Sequence, residues 1–219
     1  MAPDLRTVTE VRGARGSVRR SIFLDGERWR DAPSPVLKSL GVSPGQQVDP
    51  DALEDSIEMV AASCARDRAY RLLGYRDRSS AELRDRLLDD GYPPAIADEL
   101  VASLVASGIV DDQRFARSLA TSLVACRGFG RHRALREMAH RGVTNDLACE
   151  ALDELAPADR ERDRAAEAAL RLRRAGDTPP RLAGRLVRRG FSTSDAYDAA
   201  SSALRESCDP RVDPGCEGP

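Results

Sequence analysis

A chain of 219 residues with 34 basic and 36 acidic side chains, a net charge of −2 and only 4% aromatics has room for one or two ordinary domains or a short array of repeats. Scarce aromatics beside abundant Ala, Leu and Arg favour helix–helix packing over a sandwich or barrel. No apolar run approaches 18 residues and the start MAPDLRTVTEVRGARG has no apolar leader core, so neither a membrane span nor a secretory signal is expected.

Residues 5–12 (LRTVTEVR) and 18–25 (VRRSIFLD) are short and β-branched, with Gly13 and Gly16 between them, which predicts a β-hairpin. Asp25-Gly26 is a further turn signal. Residues 33–40 predict a short helix closed by Gly41, and Ser43-Pro44-Gly45 a turn. Asp49 to about Arg76 reads as helix, with room for one break, since Leu53, Ile57, Val60 and Cys64 recur at threes and fours. Ser79 with Glu82 forms a capping box ahead of a stripe of Leu83, Leu87 and Leu88, and Gly91 stops that helix. Pro93-Pro94 opens the next, with Ile96, Leu100, Val101 and Leu104 on one face. Asp111 caps a helix carrying Phe115, Leu119, Leu123 and Val124, broken by Arg127-Gly128-Phe129-Gly130. Residues 131–141 form a helix stopped by Gly142, and Thr144 caps another. After Pro157 come a helix with Ala165, Ala169 and Leu172, a second capped by Thr178 and ended by Gly190, and a last one capped by Ser192 or Ser194.

The glycines Gly91, Gly142 and Gly190 set these segments in register. Four residues before them stand Leu87, Met138 and Leu186; eight before stand Leu83, Ala134 and Leu182, on one helix face. Tyr92, Val143 and Phe191 follow, suited to the apolar contact of a helix C-cap. The expected fold is therefore all-α: three tandem three-helix repeats in an elongated, curved array, preceded by a small N-terminal β-hairpin and short helices. The expected boundaries are 1–64 for the hairpin and helical segment, 65–110, 111–157 and 158–206 for the repeats, and 207–219 for a disordered Pro/Gly-rich tail.

Charge is unevenly spread. From Gln113 to Arg141 seven arginines stand against one acid, Glu137, and from Arg171 to Arg189 seven stand against Asp177. The middle helices of the second and third repeats are thus basic on the face left after packing, whereas that of the first carries Asp85, Asp89 and Asp90. Such helices suit phosphates or an acidic protein surface. The candidate partner-binding residues are Arg114, Arg117, Arg127, Arg131, Arg133, Arg136, Arg141, Arg171, Arg174, Arg181, Arg185, Arg188 and Arg189.

Reaction chemistry is not legible. His132 and His140 lie eight apart on one helix, about 12 Å along its axis, too far to share a metal. The five cysteines (64, 126, 149, 208 and 216) make no C-x-x-C pair; Cys64 and Cys149 fall among apolar positions and read as core thiols. Asp111-Asp112 reads as a helix cap and Trp29 as packing for the hairpin. With no Walker loop, G-x-G-x-x-G or G-x-S-x-G, no catalytic residue, cofactor or metal is expected. Reduced thiols point to a cytoplasmic protein.

AYRLLGYRDRSSAELRDRLLDDGY (69–92), LVASGIVDDQRFARSL (104–119) and RGFGRHRALREMAHRGV (127–143), with IFLDGERW (22–29) and SPVLKSLGVSPGQQV (34–48), resemble the RecX family of bacterial regulators of the RecA recombinase. The resemblance covers about residues 5–206. It implies tandem three-helix repeats and a monomer that binds RecA and the RecA filament on single-stranded DNA. There it would damp recombinase, ATPase and coprotease activity in DNA repair and the SOS response, with direct DNA contact left open. Ala134, where a bulkier apolar residue is expected, and Gly184 inside a helix depart from the pattern. The alternative is a stand-alone DNA-binding protein of helix-turn-helix type.

Overall fold

In a computed structural model of the chain, residues 4–205 are described, and the chain divides between Asp111 and Asp112 into two units. The expected tail, with Cys208 and Cys216, lies outside the described residues.

The first unit begins with β1 (Arg6–Arg12), β2 (Arg19–Leu24) and β3 (Glu27–Pro33), then α1 (Ser34–Ser39) and the two-residue β4 (Gln47–Val48). These strands form an antiparallel sheet in the order β3-β2-β1-β4, so the expected hairpin is corrected to four strands. An isolated hairpin is marginal in water, and here both of its edges are paired. Asp25 (φ 49°) and Gly26 (φ 87°) both take positive φ, the geometry of a tight two-residue hairpin, and so return β2 into β3. β3 carries Trp29, which packs half-buried against the core as expected. Val8, Ile22, Leu24 and Ala32 bury one face of the sheet with Val36 and Leu37 of α1.

The other side of this core is α2 (Pro50–Tyr75), a single unbroken helix started by the Asp49 carboxylate, which accepts from the Asp51 N–H. Leu53, Ile57, Ala61, Ala65, Ala69 and Leu72 mark its buried stripe. α3 (Ser80–Asp89) and α4 (Pro94–Ala106) complete the unit, and one continuous core runs from Val8 to Val110. Residue 65 therefore sits inside α2. The Ser79 hydroxyl accepts from the Glu82 N–H at 3.0 Å, as the capping box requires. Tyr92 donates its phenol to the Cys64 carbonyl at 3.1 Å, and burial pushes that phenol's pKa up to about 12.

The second unit is helical. α5 (Asp112–Thr121) passes into a π-helical turn (Ser122–Cys126), followed by α6 (Arg131–His140) and α7 (Asn145–Leu155) around Phe115, Leu123, Ala134, Met138 and Leu152. A 3-10 turn (Ala158–Arg160) leads to α8 (Glu161–Leu172), α9 (Pro179–Arg188) and α10 (Thr193–Arg205). Their core holds three large buried side chains, Leu182, Leu186 and Phe191, among seven alanines. Ala134 is fully buried, whereas Gly184 has only the end of the Arg188 side chain near its missing Cβ. The caps differ from expectation at two sites: Thr144 and Thr178 stand at N-cap positions without side-chain cap bonds. Ser192, not Ser194, caps α10 by accepting from the Asp195 N–H.

One motif closes α3, α6 and α9. The N–H of Tyr92, Val143 and Phe191 reaches back to the carbonyl of Leu87, Met138 and Leu186, and the preceding glycine N–H to that of Leu88, Ala139 and Val187. This is the Schellman end, which needs a left-handed residue, and Gly91, Gly142 and Gly190 supply φ of 93°, 74° and 97°.

Candidate interaction surface

Two backbone ends meet inside the second unit. The Gly130 N–H donates to the Arg189 carbonyl at 2.8 Å, and the His132 N–H to the Gly190 carbonyl at 3.1 Å. A helix leaves its first N–H and last C=O groups without internal partners. Here the start of α6 and the end of α9 satisfy one another. Gly130 makes this approach feasible: a Cβ there would stand 2.5 Å from the Gly190 carbonyl and the Phe191 nitrogen, and one on Gly190 would overlap the Arg133 backbone.

Side chains reinforce the joint. Glu161, buried at the start of α8, accepts from the Arg131 N–H at 2.7 Å and from Arg164 Nη1 at 2.6 Å. Arg164 Nη2 donates to the Phe129 carbonyl at 2.7 Å. Arg189 Nη1 donates to the Arg127 carbonyl at 2.8 Å, and Arg133 Nη1 to the Arg188 carbonyl at 3.2 Å. The Arg133 guanidinium also lies 4.0 Å over the Phe129 ring. The π turn ends on Arg127, whose N–H bonds to the Ser122 carbonyl. Cations at a helix N-terminus are normally opposed by the helix dipole. At α6 the Glu161 carboxylate and the two α9 carbonyls offset that field, so Arg131 and Arg133 are accommodated.

The thirteen candidate arginines divide by environment. Arg117 makes two bonds to Glu154, at 2.8 and 3.0 Å. Arg131 pairs with Asp153 at 2.7 Å, and that hydrogen bond raises its guanidinium pKa. Arg133 lies 3.5 Å from Glu137 and Arg171 3.3 Å from Glu167. Arg185 binds Asp177, as does the Arg174 N–H; the Arg185 hydrogen bond, outweighing partial desolvation, lowers the Asp177 pKa. Arg189 is half-buried on the Arg127 carbonyl, Arg141 is half-buried and Arg114 exposed. The guanidinium groups of Arg127, Arg136, Arg181 and Arg188 are exposed and have no ion-pair partner among the described residues. Acids of α7 and of the α8–α9 connection thus return to neutralise several cations that the chain order keeps apart.

The contributions of Gly130, Gly190, Glu161 and the π turn were not legible in the sequence. RGFGR and RRGF were visible as helix breaks, but their pairing joins residues about sixty apart. His132 belongs to this joint, its Nδ1 3.3 Å from the Gly190 carbonyl, and not with His140. Among the described residues no three His, Cys, Asp or Glu side chains group to hold a metal. No described helix is long and apolar enough to cross a membrane. A cleft of about 190 Å³ beside the π turn, lined in part by Gly128, Arg164, Arg171 and Phe191, is smaller than the roughly 300–1,000 Å³ usual for small-molecule sites. The charged surface, not the cleft, is the candidate site.

Comparison with known proteins gives two family matches: "RecX, first three-helix domain" over residues 65–104 and "RecX, second three-helix domain" over residues 111–152. The regulatory protein RecX of Mycolicibacterium smegmatis is 35% identical over 150 residues, covering 64% of this chain and 79% of that protein. That of Halorhodospira halophila is 36% identical over 154 residues, covering 67% and 91%. Among solved structures, a crystal structure of regulatory protein RecX aligns with TM-score 0.56 at 18% identity, covering 90% of this chain and 99% of that one. RecX from Lactobacillus salivarius aligns with the same score at 20% identity, covering 67% and 96%. The structural likeness is one of fold.

Proposed function

The chain belongs to the RecX family of regulatory proteins, and from that premise we propose that it binds RecA and the RecA filament on single-stranded DNA and restrains them by occupancy, without chemistry. The late part of α2 with α3 and α4, then α5–α7, then α8–α10, act in this reading as three repeats of one module. The module's middle helix ends each time on the same glycine motif, at Gly91, Gly142 and Gly190. The second and third of these helices are the basic ones.

The observation that carries the reading is the meeting of α9 with α6. It joins Arg181, Arg185, Arg188 and Arg189 to Arg127, Arg131, Arg133 and Arg136 across a main-chain contact. Of these eight guanidinium groups, Arg127, Arg136, Arg181 and Arg188 are exposed with no ion-pair partner among the described residues and remain open to a polyanionic surface, whereas Arg189 is held on a carbonyl. Arg114, Arg117, Arg141, Arg171 and Arg174 contribute as secondary contacts after exchanging partners. A nucleoprotein filament offers both phosphates and acidic side chains, and such a strip matches either.

The stand-alone helix-turn-helix alternative is disfavoured for α6. A recognition helix presents its N-terminal residues to base edges. The first side chains of α6 are instead engaged within the protein: Arg131 with Asp153, His132 beside the Gly190 carbonyl, and Arg133 on the Arg188 carbonyl and over the Phe129 ring. The test is direct. Added to RecA, ATP and single-stranded DNA, the protein lowers DNA-dependent ATP hydrolysis at or below stoichiometric ratios. No effect at any ratio would overturn the reading, and affinity for DNA in the absence of RecA would then favour the alternative.

A further inference from the structure

The joint between α9 and α6 has features that neither helix needs for its own folding. Each basic helix is already anchored to its own core, α6 through Ala134 and Met138 and α9 through Leu182, Ala183 and Leu186. Yet the chain also places glycine at both contacting positions. Gly190 meets the conformational need of its Schellman end, with φ of 97°, but Gly130 has a negative φ of −75° that any residue adopts. Its lack of a side chain is explained by the 2.5 Å that a Cβ would leave to the Gly190 and Phe191 backbone. A third element, Glu161 of α8, reaches the Arg131 amide from thirty residues away. Three side-chain-to-carbonyl bonds, from Arg133, Arg164 and Arg189, then cross the same seam. In the first unit the equivalent glycine, Gly91, also faces other backbone, its absent Cβ lying 3.6 Å from the Ala32 carbonyl carbon, but there the contact leads to the sheet.

We infer that Gly130, Gly190 and Glu161 are positioning residues that splice two basic half-sites into one docking strip of fixed register, so that the partner is engaged by both halves at once. This rests on the reading given above and adds how the strip is made. Two half-sites held in register bind with an advantage set by effective concentration, whereas half-sites free to move past each other lose much of it. The guanidinium groups closest to the seam help to fix its register. Arg133 is pinned to the Arg188 carbonyl of α9 and Arg189 to the Arg127 carbonyl just ahead of α6, which orients their guanidinium groups before any partner arrives. Pre-ordering of this kind lowers the entropy lost on binding.

The test uses the full chain and the RecA–single-stranded DNA filament, with DNA-dependent ATPase inhibition and filament binding as readouts. Gly190→Ala and Glu161→Ala are the perturbations and Gly184→Ala on α9, whose Cβ would meet only the end of the Arg188 side chain at 3.9 Å, is the control. Either joint variant is expected to weaken filament binding by about tenfold or more, a partial loss of the roughly 10²–10⁴ gain open to linked sites. Amide exchange at Gly130 and His132 is expected to accelerate while Met138 and Leu186 stay protected. A further readout separates positioning from mere structure. Adding Arg188→Ala weakens the wild-type chain measurably but has little further effect in the Gly190→Ala background, because the α9 half no longer engages together with α6.

If the wild-type chain does not inhibit, the functional reading itself falls. If it does inhibit, and the joint variants with protected cores match it, the splice alone is refuted. If Gly190→Ala loses core protection, Glu161→Ala decides between the two outcomes, since it removes an acceptor without introducing any overlap.

Discussion

Leu186→Ala is expected to destabilise the second unit more than its single lost side chain suggests. Leu186 is 0% exposed and is one of three large side chains in a core otherwise made of alanines. Removing three carbon groups from that core costs about 2.4 kcal/mol at ~0.8 kcal/mol each. An alanine-rich core has few long side chains able to move into the space. If ~50 Å³ stays open, the cavity adds about 1.2 kcal/mol at ~24 cal/mol per Å³, for roughly 3.5 kcal/mol in all. Leu186 also stands opposite Phe191 in the Schellman end, where its carbonyl accepts the Phe191 N–H at 3.3 Å. At about 4–6 °C per kcal/mol for a unit of about a hundred residues, the melting temperature of that unit falls by roughly 14–20 °C. Thermal and urea unfolding followed by circular dichroism measures this, with Val187→Ala alongside. Val187 is 39% exposed on the same helix, and its replacement by a better helix former is expected to stay within about 0.5 kcal/mol of wild type. A cost for Leu186→Ala below about 1 kcal/mol, or equal costs for the two neighbours, would refute the assigned helix phase and the account of the core.

Two further outcomes are expected. Reversing either exposed, unpaired charge, Arg136→Glu or Arg188→Glu, replaces a favourable exposed contact of about 0.2–1 kcal/mol with an unfavourable one of similar size. Inhibition of RecA then weakens roughly 2- to 30-fold per reversal, less at high salt, while Arg162→Ala, outside the strip on α8, stays near wild type. In the first unit, partial burial raises the pKa of Asp31, but hydrogen bonds from Ser21, Arg28 and Arg19 outweigh it and hold the carboxyl at about 2, below its ordinary 3.8. A depressed folded-state pKa contributes stability that is present above pH ~4 and lost as pH falls toward 2, here about 2 kcal/mol. The stability difference between wild type and Asp31→Asn, followed by urea unfolding from pH 6 to pH 2, should shrink across that window; a constant difference would contradict the ion-pair account.

What the sequence discloses here is set by the range of the interaction that carries each feature. The helix ends at Gly91, Gly142 and Gly190 rest on bonds reaching no more than five residues back, so spacing alone located them. The buried positions Leu83, Leu87, Met138, Leu182 and Leu186 follow from the same local period. β3 is not legible locally because ERWRDAP has no β-branched residue; its strand state comes from pairing with β2 across the Asp25-Gly26 turn. β4, two residues long, has no local pattern to read. The expected room for a break in α2 is not used, since its alanine stripe at 61, 65 and 69 carries weak apolar contrast while favouring helix strongly. Charge shows the same limit. The tally of arginines along the chain correctly marked α6 and α9 as basic, but it could not see Glu154 return to Arg117 or Asp153 to Arg131, each across more than twenty residues. Nor could it see that Gly130, read as part of a break, faces Gly190. Composition therefore identifies which helices are basic, whereas tertiary contacts decide which guanidinium groups remain open to the partner proposed above.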